Sequence, residues 1–263
     1  EEETVPYDLE FFYSYANDTG YLHRLQLRTT SLLKVMLPSH NFKTGSVWAP
    51  LPGNSLCISG GYDSTSVSNE LMSITPIRDF VVLSKTQMIT ARFCHAATYS
   101  KGCVHAIGGI NMVGAVSECE RYSIDEDQWA PLPPLPKAVY HTSAAILERT
   151  QMIYVMGGKG EDRAIQELNL KKEVWRILDF QLPHDAHNIP VFSAGSEVYF
   201  ILESNLYALD IEGGKTQLIK SVESSLETYY GPTYYSRGTV HASFHGGEPR
   251  QLKIYSLIEN EGL

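Results

Sequence analysis

The feature that most constrains this chain is a short apolar strand that ends in two glycines and recurs at near-constant spacing. It reads "LCISGG" at 56–61, "CVHAIGG" at 103–109, "MIYVMGG" at 152–158 and "VHASFHGG" at 240–247. Between second glycines, Gly61 to Gly109 is 48 residues, Gly109 to Gly158 is 49, and Gly158 to Gly247 is 89, close to two periods. The skipped unit falls near residue 203, where "EVYFILES" (197–204) alternates like a strand but carries Leu202 and Glu203 in place of glycines. One period before Gly61 lies "EFFYSYAND" (10–18), again a strand without glycines. A repeat in the forties, with room for about four short strands per unit, is the signature of propeller blades.

The spacing therefore predicts an all-β fold: a six-bladed β-propeller with four antiparallel strands per blade, two of the blades degenerate. One domain is expected over 1–263, with blades near 1–40, 41–85, 86–133, 134–182, 183–224 and 225–263. In the third unit "RFCHAATY" (92–99) reads as the inner strand, "CVHAIGG" as the second, "SECERYSI" (117–124) as the third and "QWAPL" (128–132) as the outer one. The fourth unit repeats this with "HTSAAIL", "MIYVMGG", "IQELNL" and "EVWRIL". Small Ala, Ser and Thr side chains suit inner strands that converge on a channel. A double glycine permits a positive φ or the close approach of another backbone.

Trp129 and Trp175 fall on outer strands, where they are expected to cover the seam between blades. Trp48, in "VWAPLP" (47–52), precedes its glycines. It either plugs part of the channel or marks an irregular first strand. Gly213-Gly214 is out of phase and reads as a turn between strands. In "TYYGPTYY" (228–235) all four tyrosines pack in the inner strand, or Tyr229 and Tyr230 reach the mouth while Tyr234 and Tyr235 stay in the blade.

Composition excludes several classes of function. Net charge is −9 with no Lys/Arg-rich block, so nucleic acid is not an expected partner. No apolar run approaches the roughly 20 residues of a membrane helix, and the acidic start "EEETVPYDLE" is no secretory signal. The chain opens without Met and reads as a piece of something longer. Its four cysteines, Cys57, Cys94, Cys103 and Cys119, form no C-x-x-C pair. They are expected to be reduced thiols in a cytoplasmic protein. A hairpin turn at Ser100–Lys101 would set Cys103 against Thr98 and Cys94 against Ile107, so the two do not pair. The sequon at Asn17-Asp18-Thr19 would matter only in a secreted chain.

The stretch "IGG…ECERYSIDEDQW" (107–129) resembles the kelch repeat: an apolar strand into Gly-Gly, an E-x-Y element in Glu120 and Tyr122, then Trp129. "ARFCH" supplies the R-x-x-H that opens the inner strand, with Arg92 and His95, and His141 reads as the match of His95 in the next unit. The fourth unit keeps Gly157, Gly158 and Trp175 but has Asn169 where Tyr is expected; the second keeps Gly60 and Gly61 without a following Trp. The resemblance is strongest over 55–180 and implies a kelch-type β-propeller. In this family a terminal strand often completes the last blade, which gives "ETVPY" a place beside the final unit.

No enzyme constellation accompanies the repeat. P-loop, H-E-x-x-H, G-x-S-x-G and Rossmann patterns are missing from the sequence. Some kelch-like propellers are enzymes, among them a copper–radical oxidase, which needs His and Tyr ligands at the axis. His95 and His141 read instead as hydrogen-bonded members of neighbouring strands. His184, Asp185 and His187 in "LPHDAHN" (182–188) have a metal-like spacing, but two histidines on a loop are too few for a tight site. We expect no metal, no cofactor and no catalysis.

The resemblance places binding on one face of the disc, built from two sets of loops. One set follows the glycines: Asn17–Thr19, Tyr62–Thr65, Ile110–Val113, Lys159–Arg163, Glu203–Asn205 and Glu248–Arg250. The other precedes the inner strands: Thr90–Phe93, Lys137–Tyr140, His184–Asn188 and Tyr229–Gly231. The candidate partner-binding residues are Tyr62, Asp63, Arg92, Phe93, Asn111, Met112, Tyr140, Lys159, Asp162, Arg163, His184, His187, Tyr229, Tyr230 and Arg250. Tyr and Arg are types enriched at binding hot spots. The partner implied is a protein or peptide, with no membrane. The family offers two settings: the substrate-recognition part of a cullin ubiquitin ligase, whose BTB or F-box region would lie outside this chain, or a scaffold in a cytoskeletal or other large assembly. An enzyme or small-ligand propeller using the axial pocket is the competing class.

Overall fold

The structure, a computed structural model, describes residues 11–16, 21–26, 32–36, 42–77, 79–221, 228–236, 239–245 and 252–256, with side chains described over 42–75, 80–221 and at 233. These residues form six antiparallel sheets in chain order. The first holds β1 (Phe11–Ala16), β2 (Tyr21–Gln26) and β3 (Leu32–Met36). The second holds β4 (Val47–Leu51), β5 (Ser55–Ser59), β6 (Leu71–Ile77) and β7 (Asp79–Lys85). The third holds β8 (Ala96–Ser100), β9 (Cys103–Ile107), β10 (Cys119–Ser123) and β11 (Gln128–Leu132). The fourth holds β12 (Ser143–Leu147), β13 (Met152–Met156), β14 (Ile165–Asn169) and β15 (Val174–Ile177). The fifth holds β16 (Val191–Ala194), β17 (Glu197–Leu202), β18 (Asn205–Asp210) and β19 (Lys215–Ser221). The sixth holds β20 (Thr228–Ser236), β21 (Thr239–His245) and β22 (Leu252–Ser256). Every sheet is a simple meander, each strand pairing with its neighbour in sequence.

The first strands of successive sheets touch in the order β4, β8, β12, β16, β20, and β20 also touches β4 and β1. By its place in the repeat, β1 is the second strand of its unit. Among the described residues that unit therefore offers no innermost strand between β20 and β4, and those two meet directly.

The core lies in the seams between sheets. Alternate residues of a strand face opposite sides of its sheet, so each inner strand serves two seams. Ala96 of β8 joins Ile107, Cys119, Ile146, Ile153, Val155 and Leu168 between the third and fourth sheets. Ala97 and Tyr99 turn to the other side, with Ala49, Leu51, Cys57, Leu71, Val104 and Tyr122. A third cluster joins Tyr154, Met156 and Ile165 to Val191, Phe200 and Leu209 across the next seam. Each fully buried Ile, Leu or Phe contributes about 1.5–3 kcal/mol, so the seams hold the sheets together.

Both outer-strand tryptophans close a seam as the sequence predicts. Trp129 Nε1 donates to Thr86 O at 2.8 Å, and Trp175 Nε1 to Pro133 O at 2.8 Å, each carbonyl lying in the connection from the preceding sheet. Trp48 does neither thing expected of it. It sits in the regular strand β4 opposite Ile58 and packs edge-on against Phe42, ring centroids 5.1 Å apart, on the face of its own sheet.

Three register readings need correction. The β8–β9 hairpin turns at Lys101-Gly102, so Cys103 faces Ser100 rather than Thr98, and Cys94 precedes the strand. Lys101 and Gly102 both hold positive φ, 46° and 79°, and glycine makes this turn easier than Ser100 would. In the fourth unit Leu168, not Asn169, occupies the place of Tyr122, because the loop before β14 is shorter. In the fifth unit the strand ends in a two-residue turn at Glu203-Ser204, φ 47° and 62°, where the glycine loop would begin. The four thiols are free. Gly213-Gly214 does lie in the β18–β19 turn. The reading of "ETVPY" falls outside the described residues.

Candidate functional site

The glycine pairs are where one unit receives the next. Gly61 N donates to Arg92 O at 3.0 Å, Gly109 N to Val139 O at 2.8 Å, and Gly158 N to Ala186 O at 2.8 Å. Each acceptor belongs to the segment leading into the next inner strand. Gly60 shows why no larger residue fits: its φ is +65°, and a Cβ there would lie 2.2 Å from Arg92 O. The glycines thus lock the first loop set of one unit to the second loop set of its neighbour.

Within a unit the two sets are joined by short two-residue bridges. Thr44 pairs with Tyr62, Phe93 with Ile110, and Tyr140 with Lys159. Behind the bridges runs a chain of backbone bonds from unit to unit: Cys94 N donates to Gly45 O at 2.8 Å, His141 N to Cys94 O at 2.8 Å, and Asn188 N to His141 O at 2.7 Å. All four residues have positive φ, between 46° and 69°. His141 therefore occupies the position of Cys94 rather than of His95, one residue off the match expected. Four units present the same backbone frame, and the side chains mounted on it differ.

The frame carries Tyr62, Phe93, Met112, Tyr140, Lys159, Asp162, Arg163, His184 and His187, and the structure joins Tyr62 to Phe93, Tyr140 to Lys159 and Asp162 to His187. Tyr62 and Phe93, from adjacent units, stack with centroids 5.5 Å apart and planes 26° apart. Lys159 Nζ stands 6.0 Å above the Tyr140 ring. Asp162 faces His187 at 3.7 Å and His184 faces Glu203 at 3.5 Å, both exposed pairs. Arg163 Nε donates to Leu182 O at 2.8 Å while its side chain stays exposed.

Three candidates have other tasks. Arg92 is 0 % exposed. Its Nη1 donates to Gly108 O and Glu118 O at 2.7 and 2.6 Å, and its Nη2 to Glu120 Oε1 at 2.7 Å. Its place among the partner-binding candidates is corrected: a partner has no access to it, and the guanidinium instead satisfies buried carbonyls at the glycine turn. Asp63 Oδ1 accepts from Thr65 Oγ1 at 2.8 Å, Ser66 N at 3.0 Å and Thr65 N at 3.2 Å, and these bonds, the Thr65 hydroxyl first, hold its carboxyl well below the usual carboxylate range. Asn111, at the equivalent place, accepts from Val113 N at 2.9 Å and Gly114 N at 3.2 Å. Both shape their own loops as side-chain-closed turns.

That closure adds Val113, which the candidate residues omitted, beside Met112, which they included. The Asn111 turn lifts Met112 and Val113 to its tip, 71 % and 96 % exposed. An apolar pair between a turn-forming Asn and a Gly was the signal available. Gln166 was missed as well. It holds both the N–H and the C=O of Lys137, each at 3.0 Å, as Glu120 holds the N–H groups of Ile89 and Thr90. Tyr229 and Tyr230 lie in β20, whose register shifts between Tyr229 and Thr233. Arg250 lies outside the described residues, as do Asn17–Thr19.

Two groups on this frame, His141 and Cys94, are shifted toward their neutral forms. Burial, then Lys159, pushes the His141 imidazole below its usual value, and burial raises the Cys94 thiol to about 11. His95, expected to bond a neighbouring strand, shares a 2.8 Å hydrogen bond with Ser59 Oγ of β5. Among the described residues no three His, Cys, Asp or Glu side chains come together in a way that could hold a metal ion. No helix among them is long and apolar enough to cross a membrane.

Comparison with known proteins agrees with this architecture. Residues 91–136, the segment from Arg92 through the third sheet, match the Kelch motif. The chain carries a kelch repeat and resembles kelch-repeat proteins beyond it. It is similar to Kelch-like protein 23 of Mus musculus, 27% identical over 120 residues, 43% of this chain and 21% of that one. Kelch-like protein 35 of Mus musculus is 25% identical over 165 residues, 56% of this chain and 28% of that one. Kelch repeat and BTB domain-containing protein 2 of Cowpox virus (strain GRI-90 / Grishak) is 26% identical over 123 residues, 47% and 21% of the two chains. The matched segments span less than a third of the length of these relatives.

Proposed function

We propose that this chain is a six-bladed kelch propeller whose loop face binds a protein or peptide segment without catalysis, as the substrate-recognition part of a cullin-type ubiquitin ligase in the cytoplasm. The single observation that carries the binding role is the repeated frame at the mouth. Backbone bridges and glycine contacts fix it in the second, third and fourth units, while exposed side chains of different chemistry stand on it. Rigid strands holding variable loops in register suit recognition.

The partner meets Met112 and Val113 as an apolar tip, the Tyr62–Phe93 stack and Tyr140 as aromatic ground, and Lys159, Asp162, Arg163, His184 and His187 as polar contacts. Tyr229, Tyr230 and Arg250 complete the same face in this reading. The kelch-like relatives support a role in protein interaction, and the BTB domain in the name of the viral relative supports the ligase setting.

Affinity capture from cell extract tests the proposal. Wild type should retain a reproducible partner set that a Met112→Asp/Val113→Asp variant loses, while Arg149→Glu, an exposed change in the turn between β12 and β13, retains it. Retention by the Met112/Val113 variant would overturn the assignment of this face.

A further inference from the structure

The outer strand β7 of the second sheet is an unguarded edge. Strand edges in soluble proteins are blunted by proline, lysine, brevity or a bulge. The other outer strands with described side chains obey that rule. Pro131 interrupts β11, β15 is four residues long, and β19 carries Lys215 and Lys220 and pairs with a register shift. By contrast β7 runs seven residues, "DFVVLSK", with an apolar centre and charge only at its two ends. Val81 and Leu83 on its outer part are 39 % and 49 % exposed.

The backbone pattern shows which groups face out. Gly60 N bonds Glu70 O at 2.9 Å, so Met72 and Ile74 direct their N–H and C=O groups toward β5, and Leu71, Ser73 and Thr75 direct theirs toward β7. The partners of those three are Lys85, Leu83 and Val81. Val82 and Ser84, lying between them, turn their N–H and C=O groups to the open side. Among the described residues β7 pairs with β6 only.

We propose that this edge pairs antiparallel with the same edge of a second copy of the chain, about a two-fold axis at Val82. In that register Val82 of the two copies exchange both backbone bonds. Val81 of each copy then stands opposite Leu83 of the other, so the exposed apolar side chains cover each other. Position 79 falls opposite position 85 in the same register, setting an Asp against a Lys twice over. Opposite residues at non-hydrogen-bonded positions come closest, and opposite charges there favour pairing. The strand is complementary to itself reversed, which is what an isologous contact requires, and the two sheets become one continuous sheet. A single strand pair is small for a dimer, so the association is reversible and concentration-dependent.

Sedimentation equilibrium of the purified chain over a range of concentrations tests this. Wild type should move from the mass of one chain toward two and no further. Asp79→Lys and Leu83→Lys should each weaken association about tenfold or more, with unchanged circular dichroism. Asp79→Lys/Lys85→Asp, which reverses the charges but keeps them opposite, should restore it. Val82→Pro removes an outward N–H without breaking a bond to β6, and should abolish dimers if it folds. A chain monomeric at every concentration, a mass growing beyond two copies, or failure of the double reversal to restore the dimer would each overturn the proposal. None of these outcomes bears on the loop face, which lies elsewhere on the fold.

Discussion

Arg92 Nη2 lies 2.7 Å from Glu120 Oε1 with both side chains sealed from solvent. Glu120 uses its carboxylate a second time, accepting from Ile89 N at 2.7 Å and Thr90 N at 3.2 Å. One ion pair thus fastens the segment entering β8 to the sheet it enters. Removing one member leaves an uncompensated buried charge, which costs about 3–5 kcal/mol. Arg92→Ala and Glu120→Ala should each lower unfolding free energy by that amount in urea titrations. The double variant Arg92→Met/Glu120→Leu should recover little of the loss, because it strips these side-chain partners from Gly108 O, Glu118 O, Ile89 N and Thr90 N. Weakened partner capture by Arg92→Ala should track loss of fold.

Gly109 holds φ +102°, and a Cβ there would lie 2.8 Å from His95 Cβ and 2.9 Å from Phe93 O. Gly109→Ala combines backbone strain with a clash against main chain, so a loss of about 2 kcal/mol or more is expected. Gly53→Ala, at φ +68° with open space around it, should lose less. The comparison, read by denaturant midpoint, separates close approach from conformational strain.

The repeat made much of this architecture legible before any coordinates. Glycine spacing located β5, β9 and β13, and alternation located β17, because backbone constraints at a blade's turn leave few residue choices. Tryptophans on outer strands announced the seams. The sequence was silent on side-chain direction. Arg92 is a residue type common at interfaces, and nothing in "ARFCH" shows that two carbonyls and Glu120 await it inside. Asp63 and Asn111 looked like contact residues, but their loops are short enough that the nearest donors are their own backbone. Both inner strands carry a His near their start, which suggests His141 as the match of His95, but the β12–β13 and β8–β9 registers put Thr142 at the place of His95.

Burial sets a pH dependence. It pushes His105 from 6.5 down to about 4 and His95 well below 6.5. The unfolded chain takes up these protons as pH falls below about 6.5, while the folded chain refuses them until far lower. Stability is therefore fully present above that value and declines as pH drops toward 4, by about 1.4 kcal/mol per unit for each histidine. Among the described residues His105 Nδ1 has no hydrogen-bond partner, so its replacement removes no bond seen at that atom. His105→Gln should reduce the slope of unfolding free energy between pH 6 and 4.5 by about one proton. An unchanged slope would contradict the burial.

The thiols should be slow. Burial raises Cys57 and Cys119 to about 12 and Cys94 to about 11. Reagents that attack the thiolate should label these three cysteines at neutral pH only after denaturant is added.

The central claim is that loops from successive sheets gather on one face and bind there. Hydrogen exchange with and without the captured partner tests it most directly. Protection is expected at 62–66, 110–115 and 159–163, with little change at the turns on the other side, 101–102, 125–127 and 149–151. Protection confined to those opposite turns, with the 110–115 loop exchanging as freely as in the unbound chain, would contradict it.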